Sequence, residues 1–472
     1  MKTLGRIVIS MLCAASLAAF PAAAGADHEG RPDAGNLQAR GHSPHVASFE
    51  DPPEVRHVNS DLAFWGGLAF NGNYDGFRVV DISNPDNPVE LAHPRCNGDQ
   101  GDLVVWRNVL VRGWNSPAPA GRFCDGQPVP VGFEGVHVFD VTNPRAPRMV
   151  AAVELECGSH TLTAAGVLHG LLIVYSNNSS STGCADGTRP NDDPAGDFMD
   201  IIAVPLRAPQ DATLLRREPL AGPATDVRTG CHDAGVILGA VNKAACASAD
   251  TVNVWDIGDN ATPGGSLFNP ELLFTISEPG VGQAGTNGRW HSAAFTWDGK
   301  VLVAGWEPGG GGDSECEATD PDVDKSLFFY DADTGQKLGQ WVLPRPQGAD
   351  ENCTVHNYNV LPLRNGRDVL VSGNYQAGTW VTDFTDPANP VTLAWSDPLS
   401  LGPGPFCDPD AAGPLPGRCQ LGGAWSSYWY NGFIYESDIT KGLNVFRLGR
   451  RETFSAVRLR HLNPQTQEFS IR

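Results

Sequence analysis

The stretch Val79-Val80-Asp81-Ile82-Ser83-Asn84-Pro85 runs an apolar strand into a polar turn at an aspartate, and it returns as Val138-Phe139-Asp140-Val141-Thr142-Asn143-Pro144. Looser copies stand at Val254-Trp255-Asp256-Ile257, Phe329-Tyr330-Asp331-Ala332 and Thr382-Asp383-Phe384-Thr385-Asp386-Pro387, with a degenerate Val445-Phe446-Arg447-Leu448 near the end. In each copy β-branched and aromatic residues favour an extended backbone, and the Asp, Asn, Ser, Thr or Pro that follows favours a turn. A unit that recurs along most of a chain marks a repeat architecture. With 54 Gly, 37 Pro and only 18% charged residues, the chain suits many short strands and turns better than long helices.

Four strands per repeat place blades near residues 54–95, 96–156, 157–229, 230–288, 289–353, 354–420 and 421–472. The expectation is an all-β, seven-bladed β-propeller of four-stranded antiparallel blades spanning residues 51–472. Each blade then has about sixty residues, against roughly 40 to 45 for a minimal propeller repeat, so the surplus belongs to loops. Four insertions carry it, at 115–133, 177–196, 307–325 and 397–421. Because strands alternate direction, the loops after second strands and the connections between blades emerge on one face, and the insertions gather there. Residues 27–50 lack periodicity and read as a flexible leader. Ring closure needs one terminus to supply a strand; residues 455–469 and the entering strand near Val55 are the candidates, and which end provides the outer strand stays open.

The first 26 residues read as an export signal. Lys2 and Arg6 precede an apolar run, and Ala24, Gly25 and Ala26 offer a small-residue cleavage site near Ala26. A secreted, extracellular location follows, and no later run has the length of a membrane span. The net charge of −21 disfavours nucleic acid and anionic membranes as partners. Cys13 leaves with the signal, so ten of the 11 cysteines remain, an even count that means disulfides in an exported chain. Pairing in chain order joins Cys96 with Cys124, Cys157 with Cys184, Cys231 with Cys246, Cys316 with Cys353, and Cys407 with Cys419, stapling the insertion-bearing face. Other connectivities stay open.

These strands, together with Gly158-Ser159-His160-Thr161, Cys231-His232-Asp233, Trp290-His291-Ser292-Ala293, Asn352-Cys353-Thr354-Val355-His356-Asn357 and Gly422-Gly423-Ala424-Trp425, make the chain resemble the LVIVD-repeat family of secreted bacterial proteins, with 77–81 and 135–140 as the nearest matches. The resemblance implies a propeller fold and brings no reaction with it.

One constellation points to chemistry. His160, His232, His291 and His356 begin inner strands of four blades at the same register, about 60 to 70 residues apart. Asp61 and Asp102 occupy the comparable place in two earlier blades. Inner strands line a propeller's central channel, so these side chains converge near its mouth. Neutral imidazoles with a carboxylate suit a divalent transition metal such as zinc, iron, copper or manganese. Glu307, ahead of a run of glycines, is a further candidate ligand on that face. The alternative is a water-filled polar channel in which the same groups satisfy buried backbone, or a pocket for an organic ligand. Asp320, Asp322 and Asp324 alternate in a loop without the remaining ligands of a calcium site. Trp425, Tyr428, Trp429 and Tyr430 crowd the last blade, where packing between blades or stacking on a flat ligand would use them. No Gly-x-Ser-x-Gly elbow, phosphate loop or dinucleotide fingerprint is present, and no catalytic residue is assigned. Two functions follow: a monomeric binding or scaffold propeller recognising a small molecule, glycan or protein, and a metal-dependent oxidoreductase or hydrolase centred on the four histidines.

Overall fold

The computed structural model describes residues 33–45, 58–98, 100–178, 198–221, 230–248, 250–258, 264–281, 288–308, 315–348, 351–399 and 422–471. Seven antiparallel sheets, each following its predecessor in the chain, form the blades of a propeller. Blade 1 comprises Asn59–Trp65, Leu68–Asn73, Gly76–Asp81 and Val89–Ala92, and blade 2 Leu103–Trp106, Val109–Trp114, Gly135–Asp140 and Arg148–Glu154. Blade 3 is Thr161–Leu168, Leu171–Asn177, Phe198–Pro205 and Thr213–Pro219; blade 4 is Cys231–Ile237, Lys243–Ser248, Val252–Asp256 and Glu271–Ile276. Gly288–Phe295, Val301–Pro308, Ser326–Asp331 and Lys337–Val342 build blade 5, and Tyr358–Val360, Val369–Gly373, Thr379–Asp383 and Val391–Asp397 build blade 6.

The repeated strand is the third of each blade, and its aspartate has a local task. The carboxylate accepts the amide two residues on, from Ser83 to Asp81, Thr142 to Asp140, Gly258 to Asp256, Asp333 to Asp331 and Thr385 to Asp383, at 2.7–3.0 Å. This turn ends the strand while the intervening residue, Ile82, Val141, Ile257, Ala332 or Phe384, is buried and donates its amide back to the turn between the first two strands. Blade 3 makes the same backbone bond through Leu206 to Gly170 although Pro205 stands where the aspartate should be, which is why its copy is not legible. Aromatic side chains of successive third strands meet between blades, as Phe77 with Phe139 and Phe329 with Phe384.

Closure departs from expectation. Residues 424–448 give blade 7 only three strands, Ala424–Tyr430, Phe433–Asp438 and Gly442–Leu448; the fourth is Leu37–Pro44, antiparallel to Gly442–Leu448. The segment read as a flexible leader is therefore, at 37–44, the strand that shuts the ring, and Asp33–Gly35 adds an edge to blade 6. No apolar alternation announces it because this outer strand is solvated on most positions. Buried Arg78 of blade 1 grips its end, donating to the Ser43 hydroxyl at 2.6 Å and to the Ser43 and Pro44 carbonyls. Gly442, with φ of 115°, lies so close to the Ser43 carbonyl that a Cβ would collide with it.

The carboxyl-terminal segment does not form a blade. His461–Leu462 pairs with the inner strand of blade 1, and Thr466–Gln467 runs parallel to that of blade 4. Asn463 exchanges two hydrogen bonds with the backbone of Val105 in blade 2, and the Thr466 hydroxyl donates to the Ala164 carbonyl in blade 3. These contacts fall at the ends of the inner strands opposite the histidines, so the tail fills that end of the channel.

Disulfides join Cys96 with Cys124, Cys231 with Cys246 and Cys316 with Cys353, as chain-order pairing requires. Cys157 is also disulfide-bonded; Cys184, Cys407 and Cys419 lie outside the described residues, as does the expected export signal. Such pairing fits an oxidising setting. No helix among the described residues is long and apolar enough to cross a membrane.

Deleting residues 33–44 should expose the unpaired edge of Gly442–Leu448, lower stability by about 3 kcal/mol or more and promote aggregation. Truncation after Leu448 should leave all seven blades with four strands. Chemical denaturation and size-exclusion chromatography of the two variants check this; equal behaviour would contradict the assignment of the closing strand.

Candidate metal centre at the channel mouth

The inner strands of blades 4, 5 and 7 bulge where they enter the channel. In blade 4 the ladder pairs Cys231 with Ser248 and then Asp233 with Ala247, so His232 is the extra residue. Blade 5 does the same around His291 and blade 7 around Trp425. In a regular strand neighbouring residues face opposite sides of the sheet; a bulge re-aims one of them, so a residue and its successor can both serve the channel. Two polar rings result. One holds His160, His232, His291, His356 and Trp425, and the next holds Asp61, Asp102, Asp233, Ser292, Asn357 and Ser426.

The four histidines stand in a row, all buried. Ring centroids are 4.5 Å apart for His160 and His232, 4.1 Å for His232 and His291, and 4.1 Å for His291 and His356. Backbone carbonyls choose the tautomer of two of them. His232 Nδ1 donates to the His291 carbonyl at 3.0 Å and His356 Nδ1 to the Trp425 carbonyl at 2.5 Å, so each neutral ring carries its lone pair on Nε2. The Nε2 atoms of His160 and His232 lie 2.9 Å apart. Glu307, buried at the end of the second strand of blade 5, brings Oε2 to 3.9 Å from His291 Nε2 and Oε1 to 3.8 Å from His356 Nε2. Its carboxylate is oriented by the Tyr375 hydroxyl at 3.1 Å and Arg289 Nε at 3.5 Å. Ligand atoms of His232, His291 and Glu307 all fall within 4.8 Å of one another.

Burial holds every imidazole of this row neutral. It lowers His160 and His356 to about 3 and pushes His232 and His291 well down; Arg289 adds to the effect on all four and neighbouring rings on His160, His232 and His291, while the bond to the Trp425 carbonyl opposes it at His356. Several neutral imidazoles beside one carboxylate form a donor set suited to zinc, copper, iron or manganese. The bonds to the His291 and Trp425 carbonyls are of the kind that orient metal-bound histidines.

Asp61 and Asp102 sit one register further along than expected: each bonds the amide of its own successor, as Asp233 does, and so matches Asp233 instead of the histidines. Their carboxylates are used by backbone: Asp61 accepts the Leu62 amide at 2.7 Å, Asp102 the Leu103 and Leu162 amides at 2.8 and 2.5 Å, and Asp233 the Ala234 amide at 2.8 Å. Burial, then mutual repulsion, drives Asp102 and Asp233 well above the ordinary carboxyl range, and burial raises Asp61. Gln465 of the tail donates to Asp233 at 3.3 Å. Sequence reasoning passed over Arg289, Tyr375 and Asp233; Arg289 and Asp233 flank ring histidines, whereas nothing local to Tyr375 signals its role. Of the alternating acids in the blade 5 loop, Asp320 accepts the Glu317 amide and Asp324 the Trp306 indole, both structural uses. Gly309 to Gly312 lie outside the described residues.

The buried neutral imidazole of His356 gives a pH signature. An unfolded histidine takes a proton near its ordinary value of 6.5, while the folded ring, lowered to about 3, resists protonation, so stability is lost as pH falls below 6.5. In chelator, wild type should lose about 1.4 kcal/mol per pH unit relative to His356→Gln between about pH 6 and 4. Urea unfolding across that range reads the difference; parallel curves would contradict the neutral assignment.

Among known proteins, the LVIVD repeat model matches residues 60–93. Comparison with curated proteins finds no match. Among solved structures, the computationally designed Ika8 protein is similar with a TM-score of 0.44 and 13% identity over 87% of this chain and 99% of its own. A chain of the Mitotic Checkpoint Complex is similar with a TM-score of 0.46 and 11% identity over 95% of this chain and 98% of its own. Both are too distant to inform the site. Geometry and comparison together identify the chain as a seven-bladed β-propeller that carries an LVIVD repeat in its first blade.

Proposed function

We propose that this protein is an exported binding propeller that holds one divalent first-row transition-metal ion at its channel mouth, with His232, His291 and Glu307 as central ligands and His160 and His356 flanking them. The observation that carries this reading is the pair of backbone-fixed tautomers: His232 and His356 both spend Nδ1 on a carbonyl and turn the Nε2 lone pair into the cluster, where that of His232 accepts from His160 Nε2–H. A water-filled channel would also use these rings to satisfy carbonyls; what favours an ion is that His232, His291 and Glu307 in addition bring their ligand atoms within 4.8 Å of one another. Export is supported by the basic-then-apolar start of the sequence and by the disulfides.

The same ligands would serve an oxidoreductase or hydrolase. Burial of all five favours holding over turnover, since structural metal sites are closed and catalytic ones keep an open position. Asp61 and Asp102 are left out of the ligand set because their oxygens already accept from backbone amides and, at Asp61 Oδ2, from the Asn357 side chain.

Elemental analysis of protein purified without chelator tests the proposal. His232→Ala and His356→Ala should each lose one equivalent of metal relative to wild type, Glu307→Gln should weaken affinity on the order of 10- to 100-fold, and Asp61→Asn should retain the ion. Identical metal content in wild type and His232→Ala would overturn it.

A further inference from the structure

A second set of ligands lies away from the channel, at the seam where the ring closes. His45 follows the closing strand Leu37–Pro44, Asp75 sits in the turn between Leu68–Asn73 and Gly76–Asp81, and His93 follows the outer strand Val89–Ala92. One ligand comes from the segment that shuts the ring and two from blade 1. We propose that His45, Asp75 and His93 form a second transition-metal site, of the zinc class, that staples the closing strand to blade 1. This inference is independent of the ion at the channel mouth.

The geometry supports it at three points. Ligand atoms of the three residues lie within 4.8 Å of one another, and His93 Nε2 is 3.2 Å from Asp75 Oδ1. With bonds of about 2.0–2.1 Å, neighbouring donors on tetrahedral zinc stand roughly 3.3 Å apart, so this pair already has the right span and His45 has only about 1–1.5 Å to close. The tautomer of His45 is also set. Asn59 spends its amide nitrogen on the carbonyls of His45, Asp438 and Ile439 at 3.0–3.2 Å, so its oxygen must accept, and His45 Nδ1 donates to it at 2.7 Å. Nε2 therefore bears the lone pair. Finally, Arg95 pairs with Oδ2 of the fully buried Asp75 and turns Oδ1 toward His93, the second-shell orientation metal carboxylates commonly show.

Both histidines are partly exposed, so an ion can enter from solvent, with a water completing a four-coordinate shell. On binding, His93 Nε2 gives up the proton it donates to Asp75, which moves to Nδ1 of the same ring by way of solvent, and the freed Nε2 lone pair bonds the metal. The ion then ties the end of Leu37–Pro44 to blade 1 and stabilises closure in proportion to its occupancy.

Zinc titration of the full chain carrying His232→Ala and Glu307→Gln, which disable the channel-mouth ligands, tests the staple. One equivalent should still bind, and zinc at ten times its dissociation constant should slow proteolytic release of the amino-terminal segment about tenfold, read by intact mass. Adding His93→Gln, which keeps a donor for Asp75 but no imidazole, should abolish both the equivalent and the protection while leaving stability in chelator unchanged. Absence of zinc-dependent protection in the first variant overturns the proposal. So does protection that survives His93→Gln, because the ion then sits elsewhere.

Discussion

Every blade of this molecule packs against two neighbours, and the ring holds only if the first and last blades are locked together. The lock is the pairing of Leu37–Pro44 with Gly442–Leu448, seven backbone registers between segments about 400 residues apart. Loop-closure entropy grows slowly with chain length, so the distance in sequence adds little to what the pairing must overcome. What it prevents is large: an open ring would expose one strand edge in blade 7 and the apolar faces of blades 7 and 1. The small side-chain volume at Gly442 and the grip of Arg78 on Ser43 and Pro44 serve that one contact. The His45, Asp75 and His93 cluster lies at the same seam, where an added bond would have most effect.

A closed ring brings inner strands to a common axis, and there the backbone makes a second decision. A regular strand would aim alternate residues into the channel. Bulges at His232, His291 and Trp425 break the ladder and let adjacent residues line it together. In blades 4 and 5 that irregularity is what lets a histidine and its successor, Asp233 or Ser292, line the channel together. Amides at the strand entrances need acceptors, and Asp61, Asp102 and Asp233 supply them, each bonding the amide of its own successor.

The two rings solve the problem of buried charge in opposite ways. Imidazoles lose their protons, and the carboxyl groups keep theirs more tenaciously than in water, so the channel carries far less charge than its residue types suggest. Glu307 stands apart. Its carboxyl group lies among neutral rings, 3.9 Å from His291 Nε2 and 3.8 Å from His356 Nε2, with Arg289 and the Tyr375 hydroxyl holding it in place. With the opposite end of the channel filled by the tail, this mouth is the end at which imidazole and carboxylate groups gather.

The amino-acid sequence alone pointed to seven blades: Asp81, Asp140, Asp256, Asp331 and Asp383 mark five of them, each ending a strand through a bond to an amide two residues away, and the spacing with the degenerate copy near the end supplied the rest. Such local chemistry is written in adjacent letters. It also made the one-per-blade spacing of the histidines legible, since the repeat translates spacing in the chain into angle around the axis; chain-order cysteine pairing was one of several connectivities, and the structure decided for it in three pairs. Tertiary structure alone decided that Leu37–Pro44 is a strand, for a solvated outer strand has no periodicity of its own and gains its hydrogen bonds from a partner at the far end of the chain. It likewise decided that Asp61 and Asp102 join Asp233 and not the histidines, that Glu307 reaches His291 and His356, and that the tail fills the channel. Bulges and long-range contacts set these outcomes, and neither leaves a mark within a few residues of the groups they position.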